Sequence, residues 1–291
     1  MKNLNENDGW KDEVNSNSRF EFGKNWINYI SKLSDERIIA AKASMNNFLS
    51  EEELKVASFL DIGSGSGLHS LVAHMQGAKV TSFDYDPSSV NATKSLRDKF
   101  DVDEVDWKVM QGSVLDIDFI NNFQKFDIVY SWGVLHHTGS MWQAIANAMS
   151  LVKDGGCFFI AIYNKQGWKS KFWWYIKKSY NMLPNFLKKT YAITLGIVFN
   201  SVNIIKYTLL LKPQVAIKPL LNYKKGRGMN WLNDTIDWMG GFPYEYASVN
   251  ELNDFFSKAN FTLEKTKEAS SLGCNELVFR KKTSSNISSD N

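Results

Sequence analysis

Phe59-Leu60-Asp61-Ile62-Gly63-Ser64-Gly65-Ser66-Gly67-Leu68-His69 carries the strongest fold signal in the chain. It grows out of an apolar, strand-like run from Val56 to Ile62, passes three glycines at alternate positions, and leads into a helix-like segment. Glycines at such a turn let backbone N–H groups and a helix N-terminus approach a ligand, because no Cβ intervenes. The dinucleotide fingerprint G-x-G-x-x-G would need its third glycine at 68, where this chain has Leu68. Ala78 to Asp84 reads as a second buried strand ending in an acid, 21 residues after Gly63. That position suits a carboxylate that grips a ribose. Asp86 and Pro87 fit the N-cap and first position of the next helix, so Asp86 has a structural job and Asp84 is the better ligand.

The pattern Asp61-x-Gly63-x-Gly65-x-Gly67 resembles motif I of class I S-adenosylmethionine (SAM) methyltransferases, and Asp84 matches the acid that takes the ribose hydroxyls in that family. Val105 to Met110 reads as a third strand leading to Gly112-Ser113-Val114, where the family sets residues against the adenine. Ser113 stands where many members carry Asp. Phe126 to Ser131 is a fourth strand. Its continuation Trp132-Gly133-Val134-Leu135-His136-His137 resembles the loop of the ubiquinone- and menaquinone-biosynthesis type of small-molecule methyltransferases. Cys157 to Tyr163 is a fifth strand, entered through Asp154-Gly155-Gly156.

Near the other end Ser248-x-x-Glu251 is a capping box opening a helix to Lys258, with Asn260 as its left-handed stop. Residues 261–265 and 276–280 are the last two strands. The resemblance covers about 24–163 and 246–281. Alternating strands and helices imply an α/β fold with helices on both faces of a parallel sheet. The resemblance implies a Rossmann-like, seven-stranded doubly wound sheet, mostly parallel with an antiparallel last strand. It also places an α-helical insertion or cap between β5 and β6.

The resemblance further implies SAM as methyl donor and S-adenosylhomocysteine as product. Asp61, Gly63, Ser64, Gly65, Gly67, Asp84, Tyr85, Gly112, Ser113, Val114, Ser131 and Trp132 would surround it, with Asn25 and Trp26 contributed by an N-terminal helix that lids the cofactor. Arg19 is a further candidate for the methionine carboxylate. In-line transfer from a sulfonium needs acceptor and methyl held in line, worth up to ~7–11 kcal/mol. A hydroxyl acceptor also gains roughly 10²–10⁴ from a general base. His136 and His137 are candidates for that base, with an unperturbed pKa of about 6.5; the alternative is that they brace the loop. Trp132 either faces the sulfonium or fills core.

The chain has 291 residues, 44% of them hydrophobic, which is ample for one large domain or two small ones. Cys157 and Cys274 lie far apart in apolar contexts, and no Cys or His spacing suggests a metal or disulfide framework. Residues 1–19 are polar and without a signal-peptide pattern, so disorder and a cytoplasmic location are expected; 283–291 reads as a tail. The formal charge of +3 hides an asymmetry. Gly155 to Asn233 holds no acid but 12 Lys and Arg227, a charge of +13; the 21 other basic residues face all 31 acids, leaving −10.

The methyltransferase domain is expected over 20–163 and 246–282, and 164–245 is expected to be a basic, aromatic, helical insertion. The run Tyr191 to Leu211 is long enough for a bilayer. Asn200, Asn203 and Lys206 on one arc favour an interfacial helix or a lid instead. Two readings stand: a cap that admits an amphipathic or anionic acceptor with peripheral contact at the inner face of the membrane, and a plain helical cap with solvated lysines. Asp237, Tyr244 and Glu245 could orient the acceptor or act as base, or the loop is a lid closed by Arg–Asp pairs. Tyr163, Trp168, Arg227, Trp238 and Tyr244 are the candidate substrate residues, beside His136, His137, Asp237 and Glu245 as candidate catalytic ones.

No Asn/Asp-Pro-Pro-Tyr/Phe sequence and no Pro-Cys nucleophile appear, which argues against DNA as acceptor. The leading expectation is methyl transfer to a heteroatom, oxygen first, of a small or lipid-linked metabolite. The alternatives are RNA methylation through the basic insertion, S- or N-methylation, and SAM binding without turnover.

Overall fold

The computed structural model describes residues 6–221 and 231–283. Seven strands form one sheet: β1 (Ser58–Ile62), β2 (Lys79–Asp84), β3 (Trp107–Gln111), β4 (Phe126–Trp132), β5 (Val152–Tyr163), β6 (Phe261–Lys267) and β7 (Cys274–Lys281). Their order is β3-β2-β1-β4-β5-β7-β6. β1 to β5 pair in parallel, and β7 runs antiparallel to both β5 and β6. The strand order reverses at β1–β4, and the crevice outside the strands' carboxyl ends there is where open α/β sheets bind ligands.

Each face of the sheet has its own core. One gathers Phe59, Trp107, Val109 and Phe159 beneath α3 (Asp35–Asn46), α5 (Leu68–Met75) and α6 (Pro87–Lys99). The other gathers Leu60, Phe158, Ile160 and Phe279 beneath α8 (Met141–Ser150) and α13 (Val249–Ser257). The expected caps form: Asp86 accepts from the Ser88 N–H at 2.8 Å with Pro87 following, and Ser248 and Glu251 cap each other's backbone. Asn260 is left-handed at φ 63°.

Several expectations need correction. The polar stretch 1–19 is not disordered throughout, because Glu6–Asn15 forms α1. Trp10 buries its ring there, and Asn17 at φ 56° turns the chain after the helix. The apolar spacing from Ile27 to Phe48 is split into α2 (Gly23–Ile30) and α3, leaving Ile27 and Ile39 exposed. Val56 and Val105 lie outside β1 and β3 and are exposed. β5 starts at Val152 rather than Cys157; its register shifts between its pairings with Phe126 and Ile128, so Gly155 and Gly156 sit in an irregular part of the strand.

The insertion is helical: α9 (Trp168–Met182), α10 (Asn185–Leu209), α11 (Gln214–Leu221) and α12 (Trp231–Gly240). Its Trp173, Ile176, Tyr180, Ala192, Met239 and Tyr244 form a third core, against which Tyr163 of β5 and Phe20 also pack. α10 approaches α12 closely at Gly196, where a Cβ would meet the Trp231 ring at 2.8 Å. Arg227 and the stretch from 284 onward lie outside the described residues.

Candidate active site

The turn after β1 is shaped by three left-handed glycines, Gly63 (φ 78°), Gly65 (φ 56°) and Gly67 (φ 78°). A Cβ on Gly63 would stand 2.3 Å from Val134 Cγ1, and one on Gly65 would stand 3.2 Å from Trp26 Nε1. Both steric and torsional limits therefore demand glycine at 63. Trp26 covers the loop from α2, and Gly67 leads directly into α5.

Asp84, at the tip of β2, accepts from the Gly65 N–H on one oxygen and the Asp86 N–H on the other, both at 2.9 Å. A carboxylate has about four lone-pair sites, so sites remain for the paired hydroxyls of a ribose. Burial pushes its carboxyl up to about 6 despite those bonds. The Gly112 N–H donates to the Asp84 carbonyl at 3.0 Å, bringing the end of β3 alongside. Ser113 Oγ accepts from the Leu115 N–H at 3.2 Å, so this hydroxyl also shapes its own turn. Val114 is buried in the second core.

Asp61 sits lower, at the end of a buried polar chain. Trp107 Nε1–H donates to Ser82 Oγ at 2.7 Å, Ser82 and Ser70 share a 2.7 Å bond, and Ser70 donates to Asp61 at 2.5 Å. Indole is only a donor, so the three bonds must run in one direction toward the carboxylate. Burial, with Asp84's charge adding to it, pushes Asp61 up to about 7. Ser64 bonds Thr93 at 2.9 Å, fixing the loop to α6. Ser131 does not face the loop as a free ligand: its hydroxyl donates to the Ile62 carbonyl at 2.9 Å and ties β4 to β1. Trp132 is half exposed at the end of β4, with its ring stacked on His69 at 6.3 Å.

The N-terminal segment closes over this crevice. Arg19 lies 5.0 Å over the Tyr85 ring, donates to the His137 carbonyl at 2.9 Å and pairs with Glu13 at 2.5 Å. The Gly23 N–H donates to Asp86 at 2.8 Å. Asn25 turns instead to the insertion, donating to Asp237 Oδ1 at 2.7 Å. Asn25 and Asp237 are thus placed as a latch between α2 and the insertion.

His136 and His137 follow β4 in a 3-10 turn, Leu135–His137, both buried. His136 Nδ1 accepts from the Tyr163 N–H at 3.3 Å, its ring 3.9 Å from that of Tyr163. His137 Nδ1 stands 2.6 Å from the Pro243 carbonyl, a contact that requires the proton on Nδ1. Burial holds His136 well below 6.5 and His137 down to about 3, so both are neutral throughout the working range. Trp238 and Tyr244 close on the same ring, 5.7 and 5.2 Å from Tyr163.

Glu245 is placed at a helix start. Both its oxygens accept from the Met141 N–H at 3.1 Å, capping α8, and its own N–H donates to the His136 carbonyl. A carboxylate at a helix N-terminus is favoured there. Trp168 is not brought to the site: it is 72% exposed at the start of α9. Lys177, which motif reasoning passed over, is fully buried among Tyr163, Trp238 and Tyr244. The signal for it was its place four residues after Trp173 and three before Tyr180, on the inward stripe of α9.

Residues 60–158 match a family described as a methyltransferase domain. The chain carries a class I SAM-dependent methyltransferase domain. Curated relatives of that domain include ubiquinone biosynthesis O-methyltransferases. That of Pelagibacter ubique is 29% identical over 116 residues, 40% of this chain and 46% of the relative. That of Methylobacterium sp. is 28% identical over 117 residues, 40% and 45%. The chain spans less than half the length of the curated relatives it matches. Among solved structures, PKMT2 from Rickettsia typhi aligns at a TM-score of 0.56 with 13% identity, over 78% of this chain and 49% of that one. An O-methyltransferase family protein from Burkholderia thailandensis aligns at 0.54 with 11% identity, over 90% and 60%. These similarities show the methyltransferase fold. The family match ends before the insertion, so α9 to α12 lie outside it.

Proposed function

We propose that the chain transfers a methyl group from SAM to an oxygen of an amphipathic acceptor that enters beneath the helical lid. The observation that carries this reading is the cluster of His136, His137, Tyr163, Trp238 and Tyr244. It is built where β4 and β5 end and closed by the insertion. SAM, when bound, supplies a methyl already activated on a sulfonium. The chain's residues have the remaining work: the glycine loop and Asp84 hold the donor, the aromatic rings exclude water and align a flat or apolar acceptor, and Arg19 with the Asn25–Asp237 pair keeps the lid shut. That the ubiquinone biosynthesis relatives are named O-methyltransferases supports oxygen as the accepting atom.

The outer surface of the lid supports an acceptor drawn from a membrane. α10 is long and apolar enough to cross a bilayer by length and composition. Yet its Ala192 and Gly196 are buried against the lid, while Ile197, Val198, Val202, Ile205 and Leu209 are exposed on the other side. One face packed and one apolar face open is the pattern of a helix lying in the interface. Exposed Lys189, Lys206, Lys212 and Lys218 accompany it, each worth about 1 kcal/mol near an anionic surface. The same apolar face disfavours RNA, which a basic lid alone would suit.

The test combines labelled SAM with cell extract, separated afterwards into lipid, aqueous and RNA fractions. Label in the lipid fraction is expected. Label in RNA would replace this reading with RNA methylation, and no label anywhere would leave SAM binding without turnover.

A further inference from the structure

Lys177 is the residue of the site whose environment is least complete. It lies on α9 with no exposed surface. Its ammonium nitrogen donates to the Trp238 carbonyl and stands 4.4 Å from the Trp238 ring, 5.1 Å from the Tyr244 ring and 5.9 Å from the Tyr163 ring. Among the described residues no carboxylate pairs with it, although buried charges are ordinarily paired. Burial lowers it to about 7, so the neutral amine is accessible near neutrality.

The titratable groups that face it are His136 and His137 from the turn after β4, Tyr163 from β5, and Tyr244 from the loop after α12. Both histidines feel its charge. Neither suits the task of base, because burial holds His136 well below the ordinary imidazole range and His137 down to about 3, leaving little capacity to hold a proton taken from a hydroxyl. Tyr244 is pushed upward by burial and stays a phenol.

A second, independent gap lies at His136, whose ring, like the Lys177 ammonium, stands against Tyr163. With Nδ1 of His136 accepting from the Tyr163 N–H, its proton sits on Nε2, and this buried nitrogen has no partner among the described residues. A buried donor left unmade costs about 1–3 kcal/mol. One group complements both gaps: a hydroxyl accepts from an N–H and donates to an amine. The amine's bond to the Trp238 carbonyl uses an N–H and leaves its lone pair for that purpose.

We propose that Lys177 is the proton acceptor of the reaction, its amine taking the proton of the acceptor's hydroxyl while His136 Nε2–H holds the same oxygen. This rests on the methyl-transfer reading of the site. In the step the O–H bond breaks and its proton passes to Nζ; the oxygen bonds the methyl carbon, and the carbon–sulfur bond breaks with its electron pair on sulfur. The products are the methyl ether, the thioether and a lysine ammonium, which the Trp238 carbonyl and the surrounding rings stabilise until the proton returns to water on opening. The substrate class is therefore a hydroxyl compound, with a flat or apolar body that fits between the Tyr163, Trp238 and Tyr244 rings.

Two measurements test it. In the full-length protein with S-adenosylhomocysteine bound, carbon-13 NMR of labelled lysine side chains, with Lys177→Met assigning the resonance, should show Lys177 titrating between about pH 6 and 8. Titration above pH 10 would overturn the proposal whatever the acceptor. In parallel, label transfer from SAM to the extract fraction is followed across pH for the wild type and Lys177→Met. The variant should keep wild-type SAM affinity by calorimetry, lose roughly 10²–10⁴-fold in rate, and lose the limb of the pH profile that rises near neutrality. A variant with the wild-type rate and profile would overturn the role of Lys177 and leave the methyl-transfer reading intact. Absence of transfer by the wild type would remove both.

Discussion

Asn25 on α2 donates to Asp237 on α12 over 2.7 Å, joining two residues 212 positions apart and fastening the N-terminal segment to the last helix of the insertion. Neighbouring contacts close the same seam: the Phe20 N–H donates to the Phe242 carbonyl at 3.0 Å, and a Cβ on Gly240 would collide with the Phe20 ring at 2.2 Å. The lid and the cofactor cover are thus one mechanical unit. Asp237→Ala should cost about 1–3 kcal/mol of closure, since a bond to a charged group is lost. Stopped-flow measurement should show faster SAM release, and adding Asn25→Ala should bring little more. Additive effects of the two substitutions would contradict the pairing.

The glycine loop offers an internal control. Gly63 and Gly133 have nearly the same torsion, φ 78° and 74°, but a Cβ at Gly63 would strike Val134, whereas at Gly133 nothing beyond its chain neighbours lies within 4 Å. Gly133→Ala should cost only the left-handed strain, about 1–2 kcal/mol. Gly63→Ala should add an overpacking term of about 1–3 kcal/mol. Urea denaturation of both variants checks the order.

Asp84 gives a pH signature. Its folded pKa is raised by burial to about 6, above the ordinary carboxylate value, so the folded protein holds an extra proton between about pH 4 and 6. The sign follows: this group's contribution to stability is greatest below the unfolded pKa and declines as pH rises through about 6. Buried His136 and His137 act in the opposite direction, because their folded values are depressed. The Asp84 effect is therefore read by difference. In the SAM-free protein, the melting temperature of Asp84→Asn relative to wild type should improve from pH 4 to 7. A constant difference would mean the carboxyl is not buried as described.

The exposed stripe of α10 predicts membrane behaviour separable from cofactor binding. Val202→Asn with Ile205→Asn should reduce sedimentation with anionic vesicles while SAM affinity stays unchanged, because both side chains point away from the lid core. Wild-type binding should weaken at high salt. Equal vesicle binding by wild type and variant would separate α10 from any membrane role.

Much of the frame was legible in the sequence because it rests on local rules. The Asp61-to-Gly67 turn, the acid ending β2, the Asp86–Pro87 start of α6 and the Ser248–Glu251 box each follow from backbone or capping chemistry within a few residues. What escaped depends on distant contacts. Residues 6–15 looked too polar to fold, yet Trp10 supplies a buried anchor, and Gly9 comes near the Tyr85 hydroxyl, a Cβ there lying 3.3 Å from it. Glu245 looked reactive, but only the three-dimensional position of Met141 shows it to be a cap. Lys177 was one lysine in an acid-free segment, and only the packing of α9 separates it from its solvated neighbours Lys169, Lys171 and Lys178. The histidine pair was found by pattern; its neutrality comes from burial, which pattern does not report.

The central claim is that SAM sits on the glycine loop with its ribose on Asp84. Calorimetric titration of SAM into the wild type and Asp84→Ala tests it most directly. The wild type should bind SAM and the variant should lose about 1–3 kcal/mol, as befits a ligand hydroxyl pair deprived of its acceptor, with no binding of NAD by either. Equal SAM affinity in the two proteins, or tight NAD binding by the wild type, would contradict it.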